Sequence, residues 1–312
     1  MIICCGEALI DMLPREVTPG KSEAGGLAFL PVPGGAVFNT AVALGRLGED
    51  VGFLSGLSTD MFGRRLAAHL ADSGVDTGLC VRSPRPTTLA FVTLSGGNAS
   101  YTFYDENTAG RLLDIPDLPV LPAKAAALHF GAISLIPEPC GAAYEHLMAR
   151  HADRAVISFD PNIRPGFVTN ETAYRARLTR MAGLSDIIKV SQEDLDWLAP
   201  GLPFDAVARA WIADGARLVI LTRGAEGARA VTAGLDLAVP ARPAKVVDTV
   251  GAGDTFNAGL LAGLRRRGVL SKDGLAALAA PDLTAALDLA AAVSAFTVGQ
   301  AGANPPWQHQ LP

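Results

Sequence analysis

The chain has 312 residues, of which 49% are apolar and 18% charged, enough for one large α/β domain with a sizeable core. Its net charge is −5 and it has no run of lysine or arginine, which argues against nucleic acids and anionic membranes as partners. The four cysteines show no C-x-x-C spacing, so we expect a cytoplasmic protein without a zinc site. We expect neither a signal peptide nor a membrane-spanning segment.

A short apolar run at residues 2–5 predicts a buried strand that ends at Gly6. Asp11 follows this strand closely, at the sheet edge where open α/β proteins usually bind ligands. Taken alone, an aspartate at this place is more often a turn or cap residue. Its carboxylate can nevertheless accept hydrogen bonds from two neighbouring hydroxyl groups.

A second strand is expected at 27–32, and a glycine turn then opens a helix that ends at Gly48. Gly34 and Gly35 let backbone amides approach a ligand closely. Asn39, one turn into the helix, can direct both a donor and an acceptor at the same ligand. An isolated asparagine at this place would more often be a local cap.

The β-rich residues 87–94 and 98–105 flank a Ser-Gly-Gly turn, which predicts a hairpin. Elsewhere strands and helices alternate, which predicts right-handed βαβ units and a parallel sheet. A hairpin within such a chain indicates a small second sheet. We expect that sheet to be built from residues 12–33 and 87–108.

The aromatic residues of this hairpin divide between two faces. Tyr101 and Phe103 share one face by the two-residue period of a strand, and Thr102 and Tyr104 share the other. The alternation does not say which face meets a ligand. Packing within the small sheet, or a dimer contact, accounts for all four residues equally well.

Two loops in the second half of the chain follow predicted strands and carry polar residues. The first contains Arg164, which either reaches a phosphate or substrate oxygen or pairs with Asp160 at the surface. The second begins with Ser191, a favourable helix N-cap that is followed by the acids Glu193 and Asp194 in the first turn.

A further strand is expected at 218–221, followed by a glycine-rich loop from Thr222 to Gly227. This loop is either a ligand loop or a plain glycine hairpin. The chain then returns as one strand at 231–239, and the last helix is expected at 283–298.

Residues 248–259, DTVGAGDTFNAG, carry the most informative pattern of the chain. Gly251 and Gly253 permit a tight turn with inward-facing amides, and a helix expected at 256–264 adds the positive end of its dipole. Together they predict an anion pocket suited to phosphate oxygens. Asp254, at its mouth, is placed to take a proton from a hydroxyl that attacks a phosphoryl group. In isolation, Asp254 or Thr255 would more often be an N-cap.

The whole string closely resembles the C-terminal signature of the PfkB/ribokinase family of carbohydrate kinases. The pattern G-G-x-x-x-N-x-A from Gly34 to Ala41, followed by L-G-x-L-G, resembles the N-terminal signature of the same family. The two signatures stand in the right order, and the resemblance covers nearly the whole chain. It implies a ribokinase-like three-layer α/β/α sandwich with a mainly parallel central sheet and a small β-sheet lid, in a single domain (residues 1–312).

The resemblance also implies a role for each motif. Asp254 would be the catalytic base, and the anion hole would be formed by Gly251, Ala252 and Gly253. The sugar would be held by Asp11, Gly34, Gly35, Asn39, Phe103, Arg164 and Asp254. ATP would be bound by Lys189, Ser191, Thr222, Gly224, Gly227, Gly251, Gly253 and Asn257. The loops around Ala244 and residues 302–304 would enclose its adenine.

Two metal ions are implied in the same way. The family usually has N-x-x-E where this chain has Ser191 and Asp194. Either Asp194 or its neighbour Glu193 would therefore hold Mg²⁺ through water. Asp248 would help to hold a monovalent cation, K⁺, behind the anion hole.

The lid residues resemble those of fructokinases most closely. Relatives that act on 2-keto-3-deoxygluconate tend to carry an arginine just after the second lid aromatic, where this chain has Asp105, which would repel an acid. We therefore expect fructose and ATP as substrates and fructose 6-phosphate as product. The alternatives are 2-keto-3-deoxygluconate, ribose or a nucleoside as substrate, or a non-catalytic sugar sensor on the same fold. The outer face of the lid is a candidate homodimer contact.

Overall fold

The computed structural model describes residues 1–16, 27–95 and 98–311. In this part the strands are β1 (Ile2–Cys5), β2 (Leu9–Glu16), β3 (Leu27–Gly34), β4 (Val51–Leu54), β5 (Gly56–Ser58), β6 (Val75–Asp76), β7 (Val81–Ser83), β8 (Leu89–Ser95), β9 (Asn98–Tyr104), β10 (Ala127–Gly131), β11 (Val156–Asp160), β12 (Ile187–Ser191), β13 (Leu218–Thr222), β14 (Ala228–Val231) and β15 (Asp236–Val239). The α-helices are α1 (Ala36–Arg46), α2 (Met61–Asp72), α3 (Cys140–His151), α4 (Glu171–Ala182), α5 (Gln192–Leu198), α6 (Phe204–Ala213), α7 (Ala252–Arg266), α8 (Lys272–Ala276) and α9 (Ala280–Val298).

A central sheet of nine strands, counted over the described residues, runs in the order β15-β14-β13-β12-β11-β10-β1-β4-β6. All neighbours from β6 to β13 pair in parallel, as the strand–helix alternation predicts, and β14 and β15 add an antiparallel edge. The chain reverses its direction of winding at β1, which lies between β4 and β10. Such a switch point leaves a crevice at the carboxyl ends of the strands, where open α/β folds bind ligands.

Helices cover both faces of the central sheet because both faces are apolar. Alternate residues of β1 enter separate hydrophobic cores, Ile2 and Cys4 on one side and Ile3 and Cys5 on the other. The first core also contains side chains of α1, α7 and α9, and the second contains side chains of α3, α4 and α6. The architecture is therefore a layer of helices, a sheet and a second layer of helices, as expected.

The lid sheet is a second sheet of four strands among the described residues, in the order β3-β2-β8-β9. β2 pairs antiparallel with β3 and in parallel with β8, and β8 pairs antiparallel with β9. β2 begins at Leu9, before residue 12, so Asp11 belongs to the lid sheet rather than to a loop after β1. The tip of the hairpin predicted between β8 and β9, residues 96–97, lies outside the described residues.

The expectation of a single strand at 231–239 is wrong. β14 and β15 form an antiparallel hairpin instead, in which Val231 pairs with Asp236. The hydroxyl oxygen of Thr232 accepts hydrogen bonds from the amides of Gly234 (3.2 Å) and Leu235 (2.9 Å), which closes a turn between the two strands. The turn signal in the Thr-Ala-Gly sequence stands within a run that otherwise has the composition of a strand.

α7 begins earlier than the sequence indicated. Its first residue is Ala252, so Asp254 lies within the first turn rather than ahead of a helix at 256–264. The N-cap is Gly251, whose φ of 79° is left-handed and favours glycine. Asp254 is therefore not an N-cap, and its carboxylate is available for other contacts.

α9 is the one helix in the described part of the chain that is long and apolar enough to cross a membrane, by length and composition only. Here it packs along α7, where Gly259 and Gly263 face backbone atoms of Ala290 and Ala286. A Cβ on Gly263 would lie 2.5 Å from the Cα of Ala286, so the two helices approach as closely as they do because α7 has no side chain there. The apolar composition of α9 is accounted for by this packing in the core.

Candidate active site

The carboxyl ends of the central strands and the lid sheet enclose a large cleft of about 1330 Å³. The predicted site residues that line it are Asp11, Gly35, Asn39, Phe103, Arg164, Lys189, Ser191, Glu193, Asp194, Thr222, Gly224, Gly227, Gly251, Ala252, Gly253 and Asp254. Gly34, Asp248 and Asn257 were also predicted as site residues, but they do not line the cleft. The structure therefore brings together most of the residues that the two signatures singled out.

Asp254 lines the cleft from the first turn of α7, and only 7% of its surface is exposed. Its Oδ2 accepts a hydrogen bond from Nδ2 of Asn39 (2.9 Å), and its backbone oxygen accepts one from Oγ1 of Thr40 (3.1 Å). Burial raises the pKa of Asp254 to about 6, although the Asn39 hydrogen bond acts in the opposite direction. A carboxylate whose pKa lies near the working pH can take up a proton and release it again.

The first turn of α7 presents backbone amides to the cleft. The opening N–H groups of a helix have no partner within the helix, and the helix dipole adds positive potential there. The amide of Ala252 makes only a long hydrogen bond, to the oxygen of Thr249 (3.3 Å). Nζ of Lys189 lies 3.0 Å from the point that a Cβ on Gly253 would occupy. Backbone dipoles and an ammonium group therefore meet at one place, which suits an anion.

Lys189 is fixed beneath this turn by a buried ion pair. Its Nζ lies 2.9 Å from Oδ2 of Asp160, and the two side chains are 3% and 4% exposed. The same Oδ2 accepts a hydrogen bond from Nδ2 of Asn257 (2.7 Å), so Asn257 contacts Asp160 rather than the cleft. Burial alone would lower the pKa of Lys189, but the charges of Asp160 and Asp194 outweigh burial and the pKa is raised. Removal of one partner from such a pair costs about 3–5 kcal/mol.

Asp11 and two glycines shape another wall of the cleft. A Cβ on Gly34 would lie 2.1 Å from Oδ2 of Asp11, so only glycine leaves room for this carboxylate. Gly35 has a φ of 112°, which also favours glycine. Burial, and then the charge of Asp254, raise the pKa of Asp11 to about 7. Hydroxyl groups that donate hydrogen bonds to Asp11 would stabilise its charged form.

The lid presents one of its two aromatic faces to the cleft. Tyr101 and Phe103 line the cleft, whereas Thr102 and Tyr104 do not, which settles the question that the alternation left open. The rings of Phe103 and Phe167 meet edge to face at a centroid distance of 3.6 Å. Phe167 lies in the loop after β11, so this contact joins the lid sheet to the body of the protein.

Arg164 lines the cleft and has no carboxylate partner among the described residues. Its Nη1 donates to the backbone oxygens of Ile163 (3.0 Å) and Asn162 (3.4 Å). The alternative in which Arg164 pairs with Asp160 is wrong, because Asp160 is engaged by Lys189 within the protein. The guanidinium group can therefore meet a ligand.

Asp105 does not contribute to the cleft. Its Oδ1 lies 2.9 Å from Nη1 of Arg111, and the residue does not line the cleft. The argument that Asp105 would repel an acidic substrate is therefore wrong, because its charge is offset by Arg111 outside the cleft.

Asp194 and Ser191 form a capping box at the start of α5. Oδ2 of Asp194 accepts hydrogen bonds from the amide (3.0 Å) and the hydroxyl (2.8 Å) of Ser191, and Oδ1 accepts one from the amide of Ile163 (2.7 Å). Both oxygens of Asp194 are thus engaged. Glu193, by contrast, is exposed and lines the cleft. Its oxygens fit Mg²⁺, which prefers oxygen ligands and usually keeps several waters.

The loop after β13 lines the cleft next to α5. Gly224 and Gly227 both have positive φ, and a Cβ on Gly227 would lie 2.1 Å from the backbone oxygen of Val239. Arg223 forms an exposed ion pair with Glu226 (3.2 Å), and both residues line the cleft. The loop therefore brings both its backbone and a guanidinium group to the cleft.

Asp248 has a structural role. Its Oδ1 accepts a hydrogen bond from the amide of Val250 (3.0 Å), and its Oδ2 accepts one from the amide of Gly302 (2.9 Å). These contacts join the segment before α7 to the segment after α9. Each oxygen accepts one hydrogen bond and keeps a further lone pair, so the role of Asp248 as a ligand of K⁺ stays a prediction.

The end of the cleft away from the lid is mainly apolar. It is lined by residues 239–244 and by Ala291, Ser294, Ala295 and Val298 of α9. Ala244 lies here as expected, whereas residues 302–304 do not line the cleft. Oδ1 of Asn304 instead accepts a hydrogen bond from Arg46 (2.7 Å). An apolar wall of this kind suits an aromatic base.

Two residues of the site were not predicted from the sequence. Glu7 lines the cleft, and Phe167 contacts Phe103 at its edge. Oε1 of Glu7 accepts hydrogen bonds from the amides of Ala36 (2.7 Å) and Val37 (3.3 Å). The available signal was an acid placed just after a buried strand, within an otherwise apolar run. No comparable signal marks Phe167, since its contact with Phe103 is made only in the folded chain.

Residues 1–310 match the model of the pfkB family carbohydrate kinase. The chain is 53% identical over 278 residues to a fructokinase of Rhizobium leguminosarum bv. trifolii, a match that covers 89% of this chain and 84% of that protein. Its structure is similar to that of the Xylella fastidiosa fructokinase with bound ATP (TM-score 0.87, 33% identity, 97% of this chain and 93% of that one). It is also similar to that of the Vibrio cholerae O395 fructokinase in its fructose, ADP and calcium ion bound form (TM-score 0.82, 28% identity, 97% and 94%). These likenesses confirm the ribokinase-like fold predicted from the two signatures.

Gly251→Ala should destabilise the protein more than Gly201→Ala. Both glycines have left-handed φ values, 79° and 77°, so each substitution carries about 1–2 kcal/mol of backbone strain. The new methyl group at Gly201 meets open space, whereas at Gly251 it would lie 2.5 Å from Cβ of Ala303, and such overpacking adds about 1–3 kcal/mol. Urea denaturation of the two variants measures the difference. Equal free energies of unfolding would show that the segment around Ala303 moves aside without destabilising the protein.

Proposed function

Because the chain belongs to the pfkB family of carbohydrate kinases, we propose that it transfers the γ-phosphoryl group of ATP to a primary hydroxyl of fructose, which yields fructose 6-phosphate and ADP. The observation that carries the proposal is the position of Asp254, a buried carboxylate at an anion pocket between the lid end and the apolar end of one cleft. Fructose as the sugar is supported by the 53% identical relative named fructokinase and by the similar structure with bound fructose.

Asp254 acts as the general base. Its carboxylate takes the proton of the sugar hydroxyl while the hydroxyl oxygen forms a bond to the γ-phosphorus. The bond between that phosphorus and the bridging oxygen breaks, and its electron pair leaves with ADP. Asn39 holds Oδ2 of the base, which leaves Oδ1 to receive the proton.

The moving phosphoryl group is stabilised by donors that are already in place. The amides of the turn at Gly251, Ala252 and Gly253 and the ammonium group of Lys189 supply positive potential from fixed positions. Preorganised donors need no rearrangement as charge develops, which makes them effective in a site that excludes water. Asp160 is the residue that fixes Lys189 in this position.

Glu193 is the residue that we assign to Mg²⁺, through water. Mg²⁺, when bound, would neutralise charge on the phosphates of ATP. Asp194 instead holds Ser191 and the loop after β11 in place, because both of its oxygens accept hydrogen bonds from them.

The sugar lies at the lid end of the cleft in this proposal. Asp11 accepts hydrogen bonds from two of its hydroxyl groups, and Tyr101 and Phe103 cover it. The contact between Phe103 and Phe167 keeps the lid sheet against the body of the protein. Closure of this kind excludes water, which would otherwise compete with the sugar for the phosphoryl group.

Fructose should show the highest kcat/KM in an assay of ADP release with Mg²⁺ and ATP against fructose, ribose, 2-keto-3-deoxygluconate and adenosine. The keto-acid is the second candidate, because Arg164 has no carboxylate partner and could meet an acidic group. A higher kcat/KM for 2-keto-3-deoxygluconate would contradict fructose as the substrate. In that case Arg164→Gln should abolish the preference for the acid.

Asp254→Asn should lower kcat by about 10²–10⁴-fold, because the amide cannot accept the proton. The substitution keeps the size of the side chain, so fructose should still bind, as measured by calorimetry. A variant with unchanged kcat would remove Asp254 from the role of base. Absence of ADP release from the wild-type protein, with fructose still bound, would favour the sugar sensor.

Asp254 acts only when it is deprotonated, so the kcat of the wild-type protein should fall by about tenfold per pH unit below the pKa of Asp254 in the complex with its substrates. Burial already raises that pKa to about 6 in the protein alone. Profiles of kcat against pH at saturating fructose and ATP measure this fall, which is the acid limb of the profile. A kcat that stays constant down to pH 5 would contradict the assignment.

A further inference from the structure

We infer that Glu7 is a positioning residue: it fixes the first turn of α1 and, through Asn39, the carboxylate of Asp254 that receives the proton of the sugar hydroxyl. The inference rests on the proposed function and adds to it a residue that neither signature includes. It depends on two contacts in series, the first between Glu7 and α1 and the second between α1 and Asp254.

The first contact replaces the cap that α1 lacks. Its N-cap is Gly35, which has no side chain to accept hydrogen bonds from the amides of the first turn. A side chain is excluded there, because φ is 112° and a Cβ would lie 3.0 Å from the backbone oxygen of Glu7. Oε1 of Glu7, which follows β1 in the sequence, accepts hydrogen bonds from the amides of Ala36 (2.7 Å) and Val37 (3.3 Å) instead.

The second contact joins the same part of α1 to the base. Asn39 is the fourth residue of α1, and its Nδ2 donates to Oδ2 of Asp254 (2.9 Å). Thr40, the next residue, donates from its hydroxyl to the backbone oxygen of Asp254 (3.1 Å). A shift of the first turn of α1 therefore moves the donors that orient Asp254.

The carboxylate of Glu7 is unfavourable for stability. The residue is 8% exposed, and its Oε2 is buried without a hydrogen-bond partner in the described part of the protein. Burial raises the pKa of Glu7 to about 7. An unpartnered polar atom in the interior is costly, and an apolar residue would avoid that cost. The same carboxylate nevertheless holds the first turn of α1, through its hydrogen bonds with the amides of Ala36 and Val37.

Several elements place charges around Asp254. They are Glu7 after β1, Asp11 on β2, Asp160 on β11, Arg164 in the loop that follows, and Lys189 on β12. None of these five residues belongs to α1. The hydrogen bond from Asn39 is the contact with the Asp254 carboxylate that moves with α1. Because that bond favours the charged form of Asp254, its loss raises the pKa of Asp254 and moves the acid limb of kcat to higher pH.

Two substitutions of Glu7 separate the role of its oxygen from that of its charge. Glu7→Gln keeps an acceptor for the two amides, whereas Glu7→Met has a similar size and no such acceptor. Both variants lack the negative charge, so the difference between them reports the contact with α1. We expect kcat of Glu7→Met to be about tenfold below that of Glu7→Gln. Its acid limb should lie about half a pH unit higher.

Ala36→Pro cuts the same contact from the other side: its ring displaces the carboxylate of Glu7, which is otherwise unchanged. Proline is well tolerated at the first position of a helix and removes the amide that donates to Oε1 of Glu7 at 2.7 Å. Its acid limb should therefore lie above that of the wild-type protein. If Glu7→Met does not fold, the acid limb of Ala36→Pro tests the inference without it.

Asn170→Ala is the matched control. Oδ1 of Asn170 caps α4 by accepting a hydrogen bond from the amide of Ala173 (3.0 Å), and no residue of α4 lines the cleft. It should lower the melting temperature without moving the acid limb of kcat.

Coincident kcat values and acid limbs in Glu7→Met and Glu7→Gln would overturn the inference and leave Glu7 a purely structural residue. An acid limb of Ala36→Pro that coincides with that of the wild type would do the same. These outcomes require an active wild-type protein. A wild-type protein that releases no ADP with any sugar would instead overturn the proposed function.

Discussion

The hydrogen bond between Asn39 and Asp254 joins the first turns of two helices that are far apart in the sequence. It lies beside the switch point of the central sheet at β1, where a crevice opens between neighbouring strands. The amino ends of α1 and α7 meet there, and both dipoles direct positive potential into one cleft. The buried carboxylate of Asp254 therefore lies next to an anion pocket. The close packing of α7 on α9 at Gly259 and Gly263 keeps α7 in that place.

The parts of the site that follow from local backbone constraints could be predicted from the sequence. Gly251 and Gly35 have positive φ values that other residues rarely adopt, so the glycines in this sequence indicate where the two turns lie. The pair formed by Lys189 and Asp160, and its partner Asn257, could not be found in this way. Such side chains meet only when β11, β12 and α7 lie next to one another, and each alone is an ordinary polar residue in an apolar segment.

The two-residue period of β9 predicts the direction of a side chain within the strand but not beyond its end. Tyr101 and Phe103 share the face that lines the cleft, as the two-residue period requires. Asp105 follows Tyr104, where β9 ends, so the same period no longer fixes its direction. It pairs with Arg111 instead. Fructose remains the proposed substrate, supported by similarity to known fructokinases and no longer by the charge of Asp105.

The contact between Phe103 and Phe167 covers one end of the cleft, so the two ends differ in how easily a ligand enters or leaves. These rings close one side of the space beneath the lid sheet, and the loop that carries Phe167 also carries Arg164. The apolar end, formed by residues 239–244 and α9, is not covered by the lid sheet. Under the proposed function, the nucleotide would lie at this uncovered end and the sugar phosphate beneath the lid sheet. Release of the sugar phosphate would then require the lid sheet to open, a step of the kind that often limits turnover.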